Sequence, residues 1–294
     1  MKSLADLTKF GIVIFVWLSA LAGYGLGFRI EQTFSPLHLL QLLVGIGFLS
    51  AGSFALNQFQ ESDIDELMPR TRKRPIPSGQ IPLWAAFGVA MVLICGGSFI
   101  LYEMSPLVGF LGLFTVFLYN VCYTIYWKRT MPMAAVPGAI PGAMPVVIGY
   151  AANSSNIFST ECIYAFLIMF LWQMPHYWSL ALRFEDDYRK GGVPTLPVSS
   201  GTDTTLFHMG IYTLAYVALA LVSPWFVEAR YFYALIVIPF SFKILWEFSR
   251  YFRNRATRES WLPFFLWTNF SMLAFLVVPV MDKWFVVISN IQFS

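Results

Sequence analysis

Long apolar runs alternate with short polar connections along most of the chain. Runs long enough to cross a bilayer occur at residues 10–28, 38–59, 82–102, 106–127, 133–152, 161–182, 206–227, 231–249 and 261–281. Inside a bilayer every backbone polar group must be paired within the protein, and an α-helix pairs them within one segment. The pattern therefore predicts an all-α polytopic membrane protein with about nine transmembrane helices.

Composition agrees with this prediction. The 294-residue chain is 57% hydrophobic and 12% charged, with a mean hydropathy of +0.64, whereas soluble domains carry about 25% charged residues. The three cysteines lie singly in or beside apolar runs, without the spacing of a metal site or of haem attachment. We expect one domain over residues 1–294. The net charge of +3 does not indicate a nucleic-acid partner, because the basic residues follow membrane topology.

The basic residues are strongly biased to one side of the predicted membrane. Fifteen of the 19 Lys and Arg residues fall in the N-terminal segment and in the connections after the second, fourth, sixth and eighth runs. The opposite side has only Arg29, Arg230 and Lys283, and Lys243 lies inside a run. Because loops rich in Lys and Arg stay in the cytoplasm, the N-terminus and both long polar loops are predicted to be cytoplasmic.

The fifth run contains an unusual density of helix-breaking residues. We expect this helix to be kinked, and to be closely packed or to line a cavity, although such residues are common in transmembrane helices for structural reasons alone. The residues concerned are Pro137, Gly138, Pro141, Gly142, Pro145 and Gly149.

A dense cluster of charge follows the second run. Residues 57–79 contain four acids (Glu61, Asp63, Asp65, Glu66) and then four bases (Arg70, Arg72, Lys73, Arg74). If the helix continues, Asn57, Glu61 and Asp65 fall within a sector of roughly 80°, whereas Asp63 points away. Oxygen ligands on one face suit Mg²⁺, which is usually held by one or two carboxylates together with substrate phosphates. The alternative is a solvated loop whose bases only set topology.

A second cluster follows the sixth run, on the same predicted face of the membrane. Glu185, Asp186 and Asp187 precede Arg189 and Lys190. An acidic pair at a membrane interface is usually solvated surface, but two acid-then-base clusters on one face form a weak internal repeat. Together they suit two metal ions and a phosphorylated headgroup such as an allylic diphosphate, whose ionisation needs charge neutralisation and a water-poor pocket.

Three sequence blocks resemble the UbiA superfamily of intramembrane prenyltransferases, and within it the haem O synthase (protohaem IX farnesyltransferase) branch. The first block is N-Q-x-x-E-x-D-x-D-x-x-M-x-R-T-x-x-R-P from Asn57 to Pro75. The second is P-H-Y-W-S-L-A-L running into D-D-Y-R-K-G-G-V-P-T-L-P-V, within residues 175–198, and the third is Y-N-V-C-Y-T-I-Y-W-K-R-T-M-P, residues 119–132. The chain departs from the wider superfamily at Gln58 and Glu61. It also has Arg183 where the second motif usually has its first Asp.

The resemblance implies helices around a central cavity open to the cytoplasm, in a bacterial cytoplasmic (inner) membrane. It implies farnesyl transfer from farnesyl diphosphate to a vinyl group of haem B, with water added and diphosphate released. The catalytic residues would be Asn57, Glu61, Asp65 and Asp187. Mg²⁺ would be held by these four and Asp186. The diphosphate would be bound by Arg70, Arg74, Lys128 and Lys190.

His176 is the candidate haem ligand, with a hydrogen-bonded core histidine as the alternative; polar residues inside membranes tend to be functional. The implied partners are farnesyl diphosphate, haem B, the lipid bilayer, and a downstream haem-modifying enzyme or terminal oxidase assembly.

Two other functions compete with haem farnesylation. One is a UbiA-type prenyltransferase that acts on an aromatic quinone precursor. The other is a transporter with paired acids, which is less favoured because transporter sites lie near the bilayer midplane whereas these acids lie at the rim.

Overall fold

The structure, a computed structural model, describes the backbone of residues 2–292 and the side chains of residues 3–285. Every regular element in this part of the chain is helical. The α-helices in chain order are α1 Lys2–Leu7, α2 Phe10–Gly27, α3 Pro36–Gln60, α4 Ser62–Leu67, α5 Leu83–Met104, α6 Pro106–Val116, α7 Lys128–Thr130, α8 Ala135–Ala151, α9 Thr160–Arg183, α10 Glu185–Lys190, α11 Leu196–Leu221, α12 Ile238–Arg253 and α13 Arg258–Gln292. Phe117–Trp127 and Tyr233–Val237 are π-helical, and Ser223–Trp225 is a 3₁₀ turn.

Each of the nine predicted apolar runs coincides with helix, so the all-α prediction is confirmed. By length and composition, six segments of the described chain are suited to cross a membrane: Phe10–Gly27, Pro36–Gln60, Leu83–Met104, Pro106–Thr130, Leu196–Leu221 and Arg258–Phe285. The predicted count of nine is not confirmed. The other helices on predicted runs are shorter or more polar than these six. Helix α8 is apolar but has only 17 residues. Helix α9 contains Gln173, His176 and Arg183, and α12 contains four charged residues.

Short polar caps fix where several of the long helices begin. The Ser35 hydroxyl accepts a hydrogen bond from the His38 amide at the start of α3, and the Ser159 hydroxyl accepts one from Cys162 at the start of α9. A Ser at this position pairs one of the amides that the first helical turn leaves free. Pro36 occupies the first turn of α3, where its missing N–H costs nothing.

Close backbone contact joins α2 to α8. A Cβ at Gly149 would collide with the carbonyl oxygen of Ala20, and a Cβ at Gly23 would collide with that of Val146. Small residues allow membrane helices to approach closely, and this supplies the packing that lipid cannot. The helix α8 is continuous over Ala135–Ala151 even though Pro141 and Pro145 lie inside it, and it packs on α2 as the density of Gly and Pro predicted.

The π-helical segment Phe117–Trp127 continues α6 and lies against α3. Its wider turn directs Asn120 and Thr124 toward α3. The Asn120 amide donates to the backbone carbonyl of Ser53 (2.9 Å), and the Asn57 amide donates to the Thr124 hydroxyl (3.2 Å). π-helical turns are frequent at functional sites, and this one orients Asn57.

Candidate active site

A cavity of about 440 Å³ lies between α2, α3, the π-helical segment, α8 and α9. Its volume falls within the roughly 300–1,000 Å³ of small-molecule sites. One end is apolar and the other meets the long polar loops; we call the latter the polar-loop end. The apolar end is lined by Ile46, Leu49, Ile148, Met169 and Met272. Gly138, Pro141, Gly142 and Pro145 of α8 also line the cavity, as predicted for this helix.

Asn57, Glu61 and Asp65 line the polar-loop end together and are 2%, 2% and 0% exposed. The predicted one-face spacing is conditional on a continuous helix, and that condition is not met, because α3 ends at Gln60 and α4 begins at Ser62. The break does not displace them. The Glu61 amide still donates to the Asn57 carbonyl (3.0 Å) and the Asp65 amide to that of Glu61 (2.8 Å), so the helical register carries through.

Each of these two acids is paired with its own base. Lys128 Nζ lies 2.5 Å from Glu61 Oε1, and Arg74 Nη1 donates to both Asp65 carboxylate oxygens at 2.6 and 2.8 Å. Burial alone raises the pKa of Glu61, but the charge and hydrogen bond of Lys128 outweigh it, so the pKa lies below its ordinary value. Glu61 is therefore an ionised carboxylate at neutral pH. Two predicted diphosphate-binding bases, Arg74 and Lys128, thus line the cavity beside predicted metal ligands.

Lys9 is a cavity residue that the sequence analysis missed. Its ammonium donates to Asn57 Oδ1 (2.9 Å). Burial, reinforced by the positive charge of Arg74, lowers the pKa of Lys9 from 10.5 to about 7. A lysine directly before the first apolar run is typical of a topogenic charge. Only the packing of α2 against α3 reveals its contact with the acid cluster.

The second acid cluster meets the first through Arg70. The Arg70 amide donates to Asp187 Oδ2 (3.3 Å), and its guanidinium Nε lies 4.0 Å from the same oxygen. The guanidinium also stacks over the rings of Phe184 (5.1 Å) and Tyr188 (5.9 Å). Arg70 lines the cavity, whereas Asp187 lies just behind it. The structure therefore brings Asp187 to the site through Arg70.

Several acidic and basic residues of the two clusters lie outside the cavity lining and have no contact with the buried acids in the described part of the chain. Asp186 and Lys190 are exposed on α10, so the structure does not bring these two predicted ligands to the cavity. Asp63, which was predicted to point away, pairs with Arg129 at 3.1 Å, and its side chain is 63% exposed. These residues are suited to serve as controls.

Aromatic rings form the wall next to the acids. Tyr119 and Tyr123 of the π-helical segment stack with ring centroids 5.8 Å apart, and Tyr177 of α9 also lines the cavity. The Gln173 amide donates to the Ala139 carbonyl (3.0 Å) and so joins α9 to α8. The tyrosine faces are placed to stabilise positive charge that develops beside the acid cluster.

His176 does not line the cavity. Its ring lies between those of Trp172 (centroids 4.7 Å apart) and Phe265 (5.0 Å), and its Nδ1 is buried without a hydrogen-bond partner among the described residues. Trp172 does line the cavity. The predicted haem ligand is therefore one ring away from the cavity surface.

The donor atoms at the polar-loop end fit Mg²⁺. Within the part of the chain that the structure describes, no group of three or more His, Cys, Asp or Glu side chains is placed to hold a metal ion. Mg²⁺ does not require such a group, since one or two carboxylates and the substrate's phosphate oxygens usually suffice. Glu61, Asp65 and the Asn57 amide oxygen supply hard oxygen ligands in one buried wall.

Comparison with known proteins agrees with this geometry. The profile of the UbiA prenyltransferase family matches residues 16–269. The protoheme IX farnesyltransferase of Bdellovibrio bacteriovorus is 55% identical over 280 residues, which cover 95% of this chain and 96% of the relative. The Aquifex aeolicus protein of the same name is 39% identical over 243 residues, covering 81% of each chain.

Solved structures share the fold. A UbiA homologue from Archaeoglobus fulgidus bound to DMAPP and Mg²⁺ superposes with a TM-score of 0.65 at 17% identity, covering 94% of this chain and 98% of that one. A digeranylgeranylglyceryl phosphate synthase superposes with a TM-score of 0.76 at 17% identity, covering 95% and 98%. The helical architecture, the family profile and the identity to curated relatives agree, and the chain belongs to the UbiA prenyltransferase family.

Proposed function

We propose that this protein transfers the farnesyl group of farnesyl diphosphate to a vinyl carbon of haem B and so makes haem O. The observation that carries the proposal is the cavity itself, in which buried carboxylates and bases line one end and apolar side chains line the other. The choice of farnesyl donor and haem acceptor is supported by the name of the relative that is 55% identical.

The charged end suits the diphosphate. Asn57, Glu61 and Asp65 are the residues that would hold Mg²⁺, with Asp187 acting through Arg70. Bound Mg²⁺ would neutralise the leaving diphosphate as a Lewis acid. The bases that line this end are placed to bind diphosphate oxygens: Arg70, Arg74 and Lys128, which now pair with acids, and Lys9, which now donates to Asn57. Substrate binding thus exchanges acid–base pairs within the protein for pairs with the substrate.

The apolar end suits the prenyl chain, and the tyrosine wall between that end and the acids suits its cation. When the allylic C–O bond breaks, its electron pair leaves with the diphosphate and the farnesyl group becomes an allylic cation. The faces of Tyr119 and Tyr123 stabilise that cation, and the apolar wall excludes water. The vinyl π electrons of the acceptor form the new C–C bond. Water then adds to the resulting carbocation and loses a proton, which leaves the hydroxyethylfarnesyl substituent.

Haem binding is assigned to the α9 side of the cavity, with His176 as the candidate iron ligand. The unpartnered Nδ1 of His176 and its position beside the cavity-lining Trp172 support this role. Substitution of His176 by Ala is expected to raise the KM for haem and leave farnesyl diphosphate binding unchanged. The opposite pattern would refute the role.

The whole chain is proposed to act as one domain in a bacterial cytoplasmic (inner) membrane, with the polar-loop end facing the cytoplasm. The bias of 15 Lys and Arg residues to that side supports the orientation. Its product would pass to a haem-modifying enzyme or a terminal oxidase assembly.

Purified protein in lipid nanodiscs provides the test. It is supplied with farnesyl diphosphate, Mg²⁺ and either haem B or an aromatic quinone precursor, and products are separated and weighed by mass spectrometry. We expect a farnesylated haem and no prenylated quinone precursor. Prenylation of the quinone precursor alone would replace this proposal with the second UbiA-type activity.

A further inference from the structure

Four rings and a guanidinium form a continuous column between α9 and α13, which we call the aromatic column. Its members are Trp172 and His176 of α9, Phe265 and Trp261 of α13, and Arg183 at the end of α9. Successive ring centroids are 4.7, 5.0 and 5.0 Å apart from Trp172 to Trp261, with interplanar angles of 33°, 31° and 23°. The Arg183 guanidinium lies over the Trp261 ring at 5.6 Å.

The aromatic column extends the cavity wall. At about 100° per residue, positions seven apart return to nearly the same face of a helix. His176 lies seven residues after Met169 on α9, and Phe265 lies seven residues before Met272 on α13. Met169 and Met272 both line the cavity. The column therefore continues the cavity-facing sides of both helices toward the polar-loop end.

Three nitrogen atoms of the column lack hydrogen-bond partners among the described residues. Trp172 Nε1, His176 Nδ1 and Trp261 Nε1 are all buried without a hydrogen bond among the described residues. A buried polar group without a partner is costly and unusual in a native structure. Three of them in one column leave hydrogen-bonding capacity for a ligand along this wall.

Arg183, which lies outside the cavity lining, differs from the two arginines that line the cavity. Arg70 and Arg74 each have a carboxylate within 4.0 Å. Arg183 is half-buried, and the described part of the chain gives it no ion pair and no hydrogen bond. A guanidinium that lies over an indole keeps its N–H groups in its own plane, where they remain available to bind a carboxylate in bidentate fashion.

We propose that the aromatic column is the acceptor subsite, and that Arg183 binds a carboxylate of the acceptor porphyrin. This inference rests on the proposed function and names the residues that select the acceptor substrate. A porphyrin is a flat aromatic macrocycle, which suits a wall of stacked rings, and its carboxylates suit an unpaired guanidinium. The two anionic groups of the reaction are then held apart, with the diphosphate at Lys9, Arg74 and Lys128 and the porphyrin carboxylate at Arg183.

The test compares haem B with its dimethyl ester in the wild type and in Arg183→Gln. Loss of a charge-assisted hydrogen bond is expected to raise the KM for haem B by roughly tenfold or more, with the KM for farnesyl diphosphate unchanged. In the wild type, the KM for the dimethyl ester should exceed the KM for haem B by a similar factor. In Arg183→Gln, the two KM values should be nearly equal. The matched control is Arg189→Gln, because Arg189 is exposed and pairs with Glu185 on the surface; it should retain the wild-type discrimination.

A binding measurement separates recognition from turnover. The affinity for zinc protoporphyrin is measured by its quenching of tryptophan fluorescence. The Kd should rise about tenfold in Arg183→Gln, and the Kd of Arg183→Lys should lie between those of Arg183→Gln and the wild type. Equal ester discrimination in the wild type and Arg183→Gln would overturn the subsite while leaving the proposed function standing. Failure of the wild type to farnesylate any porphyrin would instead overturn the proposed function, and the subsite with it.

Discussion

The Glu61–Lys128 pair allows stability and function to be separated by experiment. The side chains are only 3% and 15% exposed, and their charged atoms are 2.5 Å apart. Glu61→Gln leaves the positive charges of Lys9, Arg74 and Lys128 facing the single carboxylate of Asp65. Breaking a buried ion pair on one side costs roughly 3–5 kcal/mol, because the remaining charge is uncompensated.

The double variant Glu61→Gln/Lys128→Met removes both charges and restores the balance of the cluster. Replacement of a whole buried pair by neutral groups is often close to neutral for stability. We therefore expect Glu61→Gln to lower the thermal midpoint by on the order of 5–10 °C, and the double variant to recover most of that loss. Both variants should lose at least about 100-fold in farnesyl transfer, since each lacks a group that holds charge in the transition state.

The assay is thermal unfolding in detergent together with turnover of farnesyl diphosphate and haem. Glu185→Gln is the matched control, because Glu185 pairs with Arg189 at the same 2.5 Å but on the surface, where such pairs contribute about 0–1 kcal/mol. An unchanged midpoint for Glu61→Gln would refute the structural part of this reasoning. Substantial turnover by the double variant would refute the functional part.

Three further predictions test other features of the structure. Asp65→Asn should abolish turnover and weaken the Mg²⁺-dependent binding of inorganic diphosphate, measured by calorimetry. The control Asp63→Asn should bind diphosphate and turn over substrate nearly as the wild type does. Equal losses in the two variants would place Asp65 outside the site. The pKa of Lys9 is about 7 in the folded protein and 10.5 ordinarily, so between these values the unfolded chain binds more protons and the free energy of unfolding should rise with pH. In Lys9→Met the thermal midpoint should lack that rise. A midpoint that depends on pH in the same way in Lys9→Met and the wild type would contradict this prediction. Asp282 is fully buried and accepts hydrogen bonds from the amides of Arg230, Phe232 and Tyr233 at 2.8–3.0 Å. Asp282→Ala should therefore lower the free energy of unfolding by about 3 kcal/mol or more and leave turnover per folded molecule unchanged. Loss of specific activity would show that these hydrogen bonds also shape the site.

Local spacing made part of the site predictable. Asn57, Glu61 and Asp65 are four residues apart, and helical hydrogen bonds between neighbours kept them in line even where α3 gives way to α4. The same reasoning located the helices, because apolar runs of bilayer length have few other ways to pair their backbone groups.

Contacts between segments that are distant in the sequence could not be predicted from the spacing of residues. Lys9 meets Asn57 across 48 positions, and Asp187 meets Arg70 across 117. Nothing in the spacing of charges shows that Asp186 and Lys190 remain on the surface while their neighbour Asp187 turns inward. The aromatic column also depends on packing, since Arg183 and Trp261 come together only when α13 lies against α9.

The most direct test of the central claim is the mass of haem extracted from membranes of a host that lacks its own haem farnesyltransferase. Expression of this chain should produce a haem heavier than haem B by one farnesyl group and one hydroxyl group, and expression of Asp65→Asn at equal abundance should not. Unmodified haem B alone, in membranes that contain folded wild-type protein and farnesyl diphosphate, would contradict the account.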